Sequence, residues 1–153
     1  MNIDKKNLAK HFPLSFKKGK TAEKIFFKLL GDGAKWAEPD QDRFEKWDMM
    51  DKQGLKYDVK SHKGIYNYIE ITSETGFKGW IYGKADVIAF QIYETWALVK
   101  RVDLLNWVDE NIKDRTTSNK RELYKCFQKK DRKDCVVYVK SIDLIRLAYK
   151  IIR

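Results

Sequence analysis

The chain is poor in the residues that staple, break or anchor a fold. It has two cysteines, two prolines and two histidines in 153 residues. Cys126 and Cys135 stand nine apart with no histidine near them, so a zinc site is not expected, and two reduced thiols in a cytoplasmic protein are. Pro13 and Pro39 leave no proline-rich linker, and no internal repeat is visible. No apolar run approaches the about 18 residues of a membrane span. The opening "MNIDKKNLAKHF" is charged without an apolar centre, so no signal peptide is expected.

What is there suits one folded domain over 1–153: 43% hydrophobic and 14% aromatic residues rule out a wholly disordered chain despite 35% charge. The net charge of +10 favours a polyanionic partner. Its distribution is more informative. Residues 1–20 and 113–135 each carry a net +5, whereas residues 37–60 carry a net −2. An acidic island between basic flanks is unusual for a plain nucleic-acid binder. It is expected where a cation must be held against phosphate.

The local pattern predicts a mixed α/β domain. "TAEKIFFKLL" from Thr21 has helical spacing, with Thr21 as N-cap and Gly31 and Gly33 as the stop. "RFEKWDMM" (43–50) and "LKYDVKSH" (55–62) predict a hairpin around "DKQG", and "YNYIEITS" (66–73) a third strand of a meander. "DVIAFQIYETWALVK" (86–100) predicts two buried strands turning near Tyr93–Thr95, followed by a short helix in "VDLLNWVDENI". Residues 113–135 read as a charged loop, with a strand possible in "ELYKCF". "CVVYVK" predicts a late strand and "SIDLIRLAYKII" a closing helix capped by Ser141.

In "LKYDVK", Leu55, Tyr57 and Val59 share one strand face, and Asp58 and Lys60 the other. A hairpin brings Asp48, ten residues earlier, toward Asp58. Two carboxylates with a peptide carbonyl, that of Val59, suit a hard cation such as Mg²⁺. Lys60 could orient a water or offset charge in a transition state. Glu23, at the start of the first helix, could add a ligand. The plain alternatives are a solvated strand face for Asp58 and Lys60 and a helix-dipole role for Glu23. Asp51 competes with Asp48 but falls in the turn. Glu70 could support the site, Ser61 is a candidate phosphate contact, and Asp86 is expected to orient the strand that follows it. His62 is expected to be a surface residue. Trp80 and Tyr82 are expected to pack, with base stacking the less favoured reading.

Glu23 in "GKTAEKIFFKLL", Asp48 in "KWDMMD" and "YDVK" at 57–60 resemble the PD-(D/E)XK nuclease superfamily, especially its Holliday junction resolvase-like and phage-encoded members. "NYIEITSETGFKGWIYGKADVIAF" (67–90) is similar to a segment of small phage nucleases. The resemblance covers about residues 19 to 100 and leaves 101–153 as a basic C-terminal extension of the same domain. No proline precedes Asp48, and Asp58 stands where Glu is commoner. The resemblance implies a central mixed β-sheet flanked by helices, the restriction endonuclease-like core. It implies Mg²⁺ (with Mn²⁺ able to substitute) on Asp48, Asp58 and the Val59 carbonyl, supported by Glu23, with Lys60 assisting the water. It also implies cleavage of DNA to 5′-phosphate and 3′-hydroxyl ends, and a homodimer where two strands are cut. A non-catalytic nucleic-acid-binding module on the same fold is the alternative, and a protein whose basic surface reflects only composition is another.

Overall fold

A computed structural model describes the backbone of residues 13–112, 116–117, 119, 122–128 and 130–153, and side chains for all of these except 13–17, 62 and 63. The fold is mixed α/β with two sheets. Its elements are α1 (Pro13–Leu30), β1 (Lys35–Trp36), β2 (Met49–Met50), β3 (Lys56–Lys63), β4 (Tyr66–Thr72), β5 (Val87–Ile92), β6 (Thr95–Lys100), α2 (Arg101–Asn111), β7 (Thr116–Thr117), β8 (Cys126–Phe127), β9 (Cys135–Lys140), α3 (Ser141–Leu147) and β10 (Lys150–Ile152).

The larger sheet has the order β1-β2-β3-β5-β6-β10, and the smaller β4-β9-β8-β7. Among the described strands of the larger sheet, only β3 and β5 pair in parallel. A parallel pair needs a crossover. Residues 64–86 supply it, carrying β4 and a 3₁₀ turn at Trp80–Tyr82.

The two faces of the larger sheet bury separate cores. On one, Ala22 and Phe26 of α1 pack on Tyr57, Val59, Val87, Ala89, Trp96 and Leu98. Phe26 is fully buried, its ring centroid 5.3 Å from Tyr57 and 4.9 Å from Trp96. Burial of a side chain of this kind contributes about 1.5–3 kcal/mol. On the other face, Ile88, Phe90, Ala97 and Val99 meet Ile69 and Val137 of the smaller sheet, Trp80 of the crossover, Leu104 of α2 and Leu144 of α3. The C-terminal third therefore builds the second core, and β10 adds the sheet's last strand.

Several expectations are corrected. The first helix begins at Pro13, where a missing N–H costs nothing, so Thr21 lies inside it and is no cap. The stop stands: Gly31 takes φ 78° and its N–H bonds the Lys28 carbonyl at 3.2 Å. The strand expected over 43–50 shrinks to β2, because Gln41–Glu45 form a π-helical turn that Lys46 ends at φ 60°. "DKQG" does turn β2 back on β3, but β4 is not the third strand of a meander. The antiparallel three are β1, β2 and β3, while β4 pairs with β9 in the other sheet. The buried hydroxyl of Ser141 draws it there by donating to the Gly64 carbonyl at 2.6 Å and accepting from Asn67 Nδ2 at 2.7 Å. Ser141 is thus an inter-element clasp, and Lys140 is the N-cap of α3. The closing helix ends at Leu147, and its expected last turn is β10, paired with Trp96–Leu98. Cys126 and Cys135 are joined as a disulfide across β8 and β9, where reduced cysteines are expected, because the antiparallel pairing sets them on one face with Cα atoms 5.5 Å apart.

Candidate metal and active centre

The register of β3 decides which groups reach its edge. Both N–H and C=O of Lys56 bond Asp86, on the β5 side: the amide donates to Asp86 Oδ2 at 2.9 Å and the carbonyl accepts from Asp86 N–H at 2.8 Å. By the two-residue period, Tyr57 and Val59 present their backbone toward β2. The Tyr57 carbonyl accepts from Asp48 N–H at 2.8 Å, after which β2 has no further strand residue to offer. The N–H of Val59 instead donates to the Asp48 side chain, Oδ2, at 2.7 Å. The Val59 carbonyl faces the same open edge.

Asp58 and Lys60 point to the opposite face from Tyr57 and Val59, but this face is not solvated. The second core covers it, and Asp58 is only 4% exposed. Lys60 Nζ lies 2.9 Å from Asp58 Oδ1 and 4.6 Å from the centroid of the buried Trp80 ring. Asp58 Oδ2 is buried without a hydrogen-bond partner. A cleft of about 280 Å³ gathers Glu23, Asp42, Lys46, Asp48, Asp58, Val59, Lys60, Glu70 and Trp80.

All the predicted site residues thus line one cleft. Glu23 also pairs with Lys20 at 2.8 Å on its own helix. Among the described residues, no three His, Cys, Asp or Glu side chains are gathered closely enough to hold a cation unaided. Asp51 is elsewhere: its Oδ1 accepts from the N–H groups of Gln53 and Leu55 and its Oδ2 from the Tyr57 hydroxyl, so it builds the turn. Ser61 bonds Gln91, and Asp86 holds the start of the β3–β5 pair. Lys56 lies over the Trp47 ring, 5.2 Å from its centroid. The side chain of His62 lies outside the described residues. Trp80 packs, as expected, whereas Tyr82 is 40% exposed.

Three cleft residues carry weak or no sequence signal. Glu70 accepts the Trp80 N–H at 3.2 Å, an arrangement made by the crossover. Asp42 and Lys46 enter on the π-helical turn, and only their place in the acidic island hinted at them.

The electrostatics follow from crowding acids out of water. Burial, then the charges of Asp58 and Glu23, push the Asp48 carboxyl up to about 8, with Lys60 and the Val59 N–H opposing. Burial also raises Asp58, with Lys60 opposing, and raises Glu70. Burial pulls Lys60 down, but Asp58 and Asp48 more than offset it, so its ammonium is held above the ordinary range.

The donor set fits a hard divalent cation. It offers two carboxylates and a peptide carbonyl, one carboxylate oxygen is buried and unpartnered, and the paired acids repel each other when no cation is present. Fold and site together define a mixed α/β protein with a buried acidic cleft at an open sheet edge. The chain matches no protein-family model, no curated protein and no solved structure.

Proposed function

We propose that the chain is a metal-dependent deoxyribonuclease of the PD-(D/E)XK type on a restriction endonuclease-like core. The observation that carries this reading is the convergence of Asp48, Asp58 and Lys60 on one cleft, with Asp58 Oδ2 buried and unpartnered. Asp48, Asp58 and the Val59 carbonyl would hold Mg²⁺, or Mn²⁺ in its place. The bound ion would polarise the scissile phosphate and make water more nucleophilic.

The residues have distinct parts. Asp48 is oriented by the Val59 N–H, which fixes one oxygen and leaves the other for the cleft. Lys60 remains protonated at neutral pH, so it donates to and orients a water and offsets negative charge on the phosphate; it does not remove a proton. Trp80 shields the ammonium from water on one side and keeps it near Asp58. Glu23, Glu70 and Asp42 keep the cleft acidic, so a DNA phosphate enters favourably only with a cation. Water attack breaks the P–O3′ bond and leaves a 5′-phosphate and a 3′-hydroxyl. A homodimer would let two such centres cut two strands.

The test is cleavage of linear, flapped and four-way DNA in Mg²⁺ or EDTA by wild type and Lys60→Ala. Metal-dependent cutting that the substitution abolishes supports the reading. If wild type cuts none of these substrates in Mg²⁺ or Mn²⁺, the enzyme reading fails and the binding-module alternative stands.

A further inference from the structure

Beside the acidic cleft, and sharing Lys46 with it, lies a wider groove of about 680 Å³. Its lining reverses the cleft's chemistry. Among the described residues, Arg43, Lys46 and Lys78 are its charged lining, and no acid lines it. Between them stand Phe44, Phe77 and Tyr82, exposed by 68%, 75% and 40%. The Arg43 guanidinium sits 4.9 Å from the Phe44 centroid, and Lys78 Nζ 5.5 Å from that of Tyr82.

These rings are held by a fixed frame. Phe77 sits on a tight loop in which Ser73 N–H bonds the Phe77 carbonyl at 2.8 Å and Gly76 N–H the Ser73 carbonyl at 2.9 Å. The groove walls interlock at two glycines. A Cβ on Gly83 would lie 2.6 Å from Lys46 Cβ, and one on Gly79 would lie 2.1 Å from the Glu70 carbonyl oxygen. Lys84 N–H also bonds the Glu45 carbonyl at 2.7 Å, tying the crossover to the π-helical turn.

We infer that this groove binds an unpaired stretch of DNA next to the scissile phosphate, with bases stacked on Phe44, Phe77 and Tyr82 and phosphates against Arg43, Lys46 and Lys78. This rests on the nuclease reading and names its substrate class. Exposed rings interleaved with cations are the means by which proteins hold single strands without base readout. A duplex buries its base faces in its own stack and would offer these rings only its sugar–phosphate rim. An apolar protein partner would cover the rings but would have to take the ammonium groups of Lys46 and Lys78 out of water with them.

The experiment measures binding without cleavage. Fluorescence anisotropy in EDTA compares an oligo-dT of about 16 nucleotides with a duplex of equal length, for wild type and Phe77→Ala. Phe77 is exposed, so its removal leaves the core intact. The expected result is single-strand binding about tenfold tighter than duplex binding. The substitution should weaken the single strand about fivefold or more and change the duplex by less than about twofold. Equal affinity for the two forms, or equal losses on both, overturns the inference. A parallel Mg²⁺ assay separates the failures. Duplex cleavage without single-strand preference overturns only the groove, whereas tight oligo-dT binding with no cleavage supports the groove and overturns the nuclease.

Discussion

Asp48 Oδ2 accepts a hydrogen bond of 2.7 Å from the backbone N–H of Val59, so a side chain replaces the next rung of the β2–β3 ladder. One residue thereby ends a strand pair and places a carboxylate beside Asp58. Its structural and electrostatic parts can be separated.

Asp48→Asn keeps an oxygen for the Val59 N–H and removes a carboxyl whose ionisation burial, Asp58 and Glu23 oppose. The metal-free variant is expected to be as stable as wild type or more stable at neutral pH. Asp48→Ala leaves the Val59 N–H without its side-chain acceptor and is expected to cost about 1–2 kcal/mol relative to Asn. Urea denaturation of both in EDTA checks the order. DNA cleavage should fall at least about 100-fold in both, since either substitution removes a carboxylate from the proposed metal site.

Lys60 and Asp58 form a largely buried pair, and removing one charge strands the other. Lys60→Met should destabilise by about 1–3 kcal/mol, below the full cost of breaking a buried pair because the lysine side chain is 24% exposed. Adding Asp58→Asn should recover most of the loss without restoring cleavage. A double-mutant cycle by chemical denaturation reads the coupling. Additive losses would show that the 2.9 Å contact contributes nothing.

The strands β3, β5, β6 and β9 were legible because alternation or a short apolar run marks them, and α2 because its apolar residues follow the helical period. Pairing was not. β4 alternates as clearly as β3, yet the Ser141 clasp and its ladder with β9 put it in the other sheet. Alternation also said that Asp58 and Lys60 share a face, but not that Trp80 covers it; only the tertiary fold separates a solvated face from a buried polar one. The spacing of Asp48, Asp58 and Lys60 nominates a site only together with Glu23 upstream and the 67–90 segment downstream, and the fold brings Glu23, Asp48, Asp58 and Lys60 to one cleft. Phe44 read as a strand residue because its apolar character fits either period, and the left-handed Lys46 that puts it on a π-helical turn has no sequence mark.

The metal-free protein should lose stability as pH rises between about 4 and 8. Asp48 is raised to about 8 in the folded chain, against an ordinary 3.8, so the folded state binds more protons through that window. Asp58 and Glu70 are raised too and act with the same sign. Glu45 and Glu122 are lowered and act oppositely, in acid, below their ordinary range. Lys60 is raised, so its contribution is fully present below its unfolded value and constant across the window. Denaturation midpoints at pH 5, 6.5 and 8 in EDTA should fall in that order, and Asp48→Asn should flatten the trend. A rise toward pH 8 would contradict the crowding of the two carboxylates.

Gly79→Ala tests the joint between the acidic cleft and the crossover. Gly79 has ordinary backbone angles, with φ −70°, so conformational strain is not at issue. Space is, because the new methyl would lie 2.1 Å from the Glu70 carbonyl oxygen and 2.9 Å from the Ile71 carbonyl carbon. These are backbone atoms, and neither can swing aside as a side-chain tip would. The Gly79 N–H bonds the Ile71 carbonyl at 2.8 Å, so the two segments must separate against that bond as well. A loss of at least about 1–3 kcal/mol is expected by thermal or urea denaturation. Trp80, the next residue, should report the displacement as a change in emission, because Lys60 lies over its ring. Serine should cost at least as much as alanine, since the obstacle is the Cβ itself. Wild-type stability in Gly79→Ala would mean that the segment leading into the 3₁₀ turn does not pack against β4.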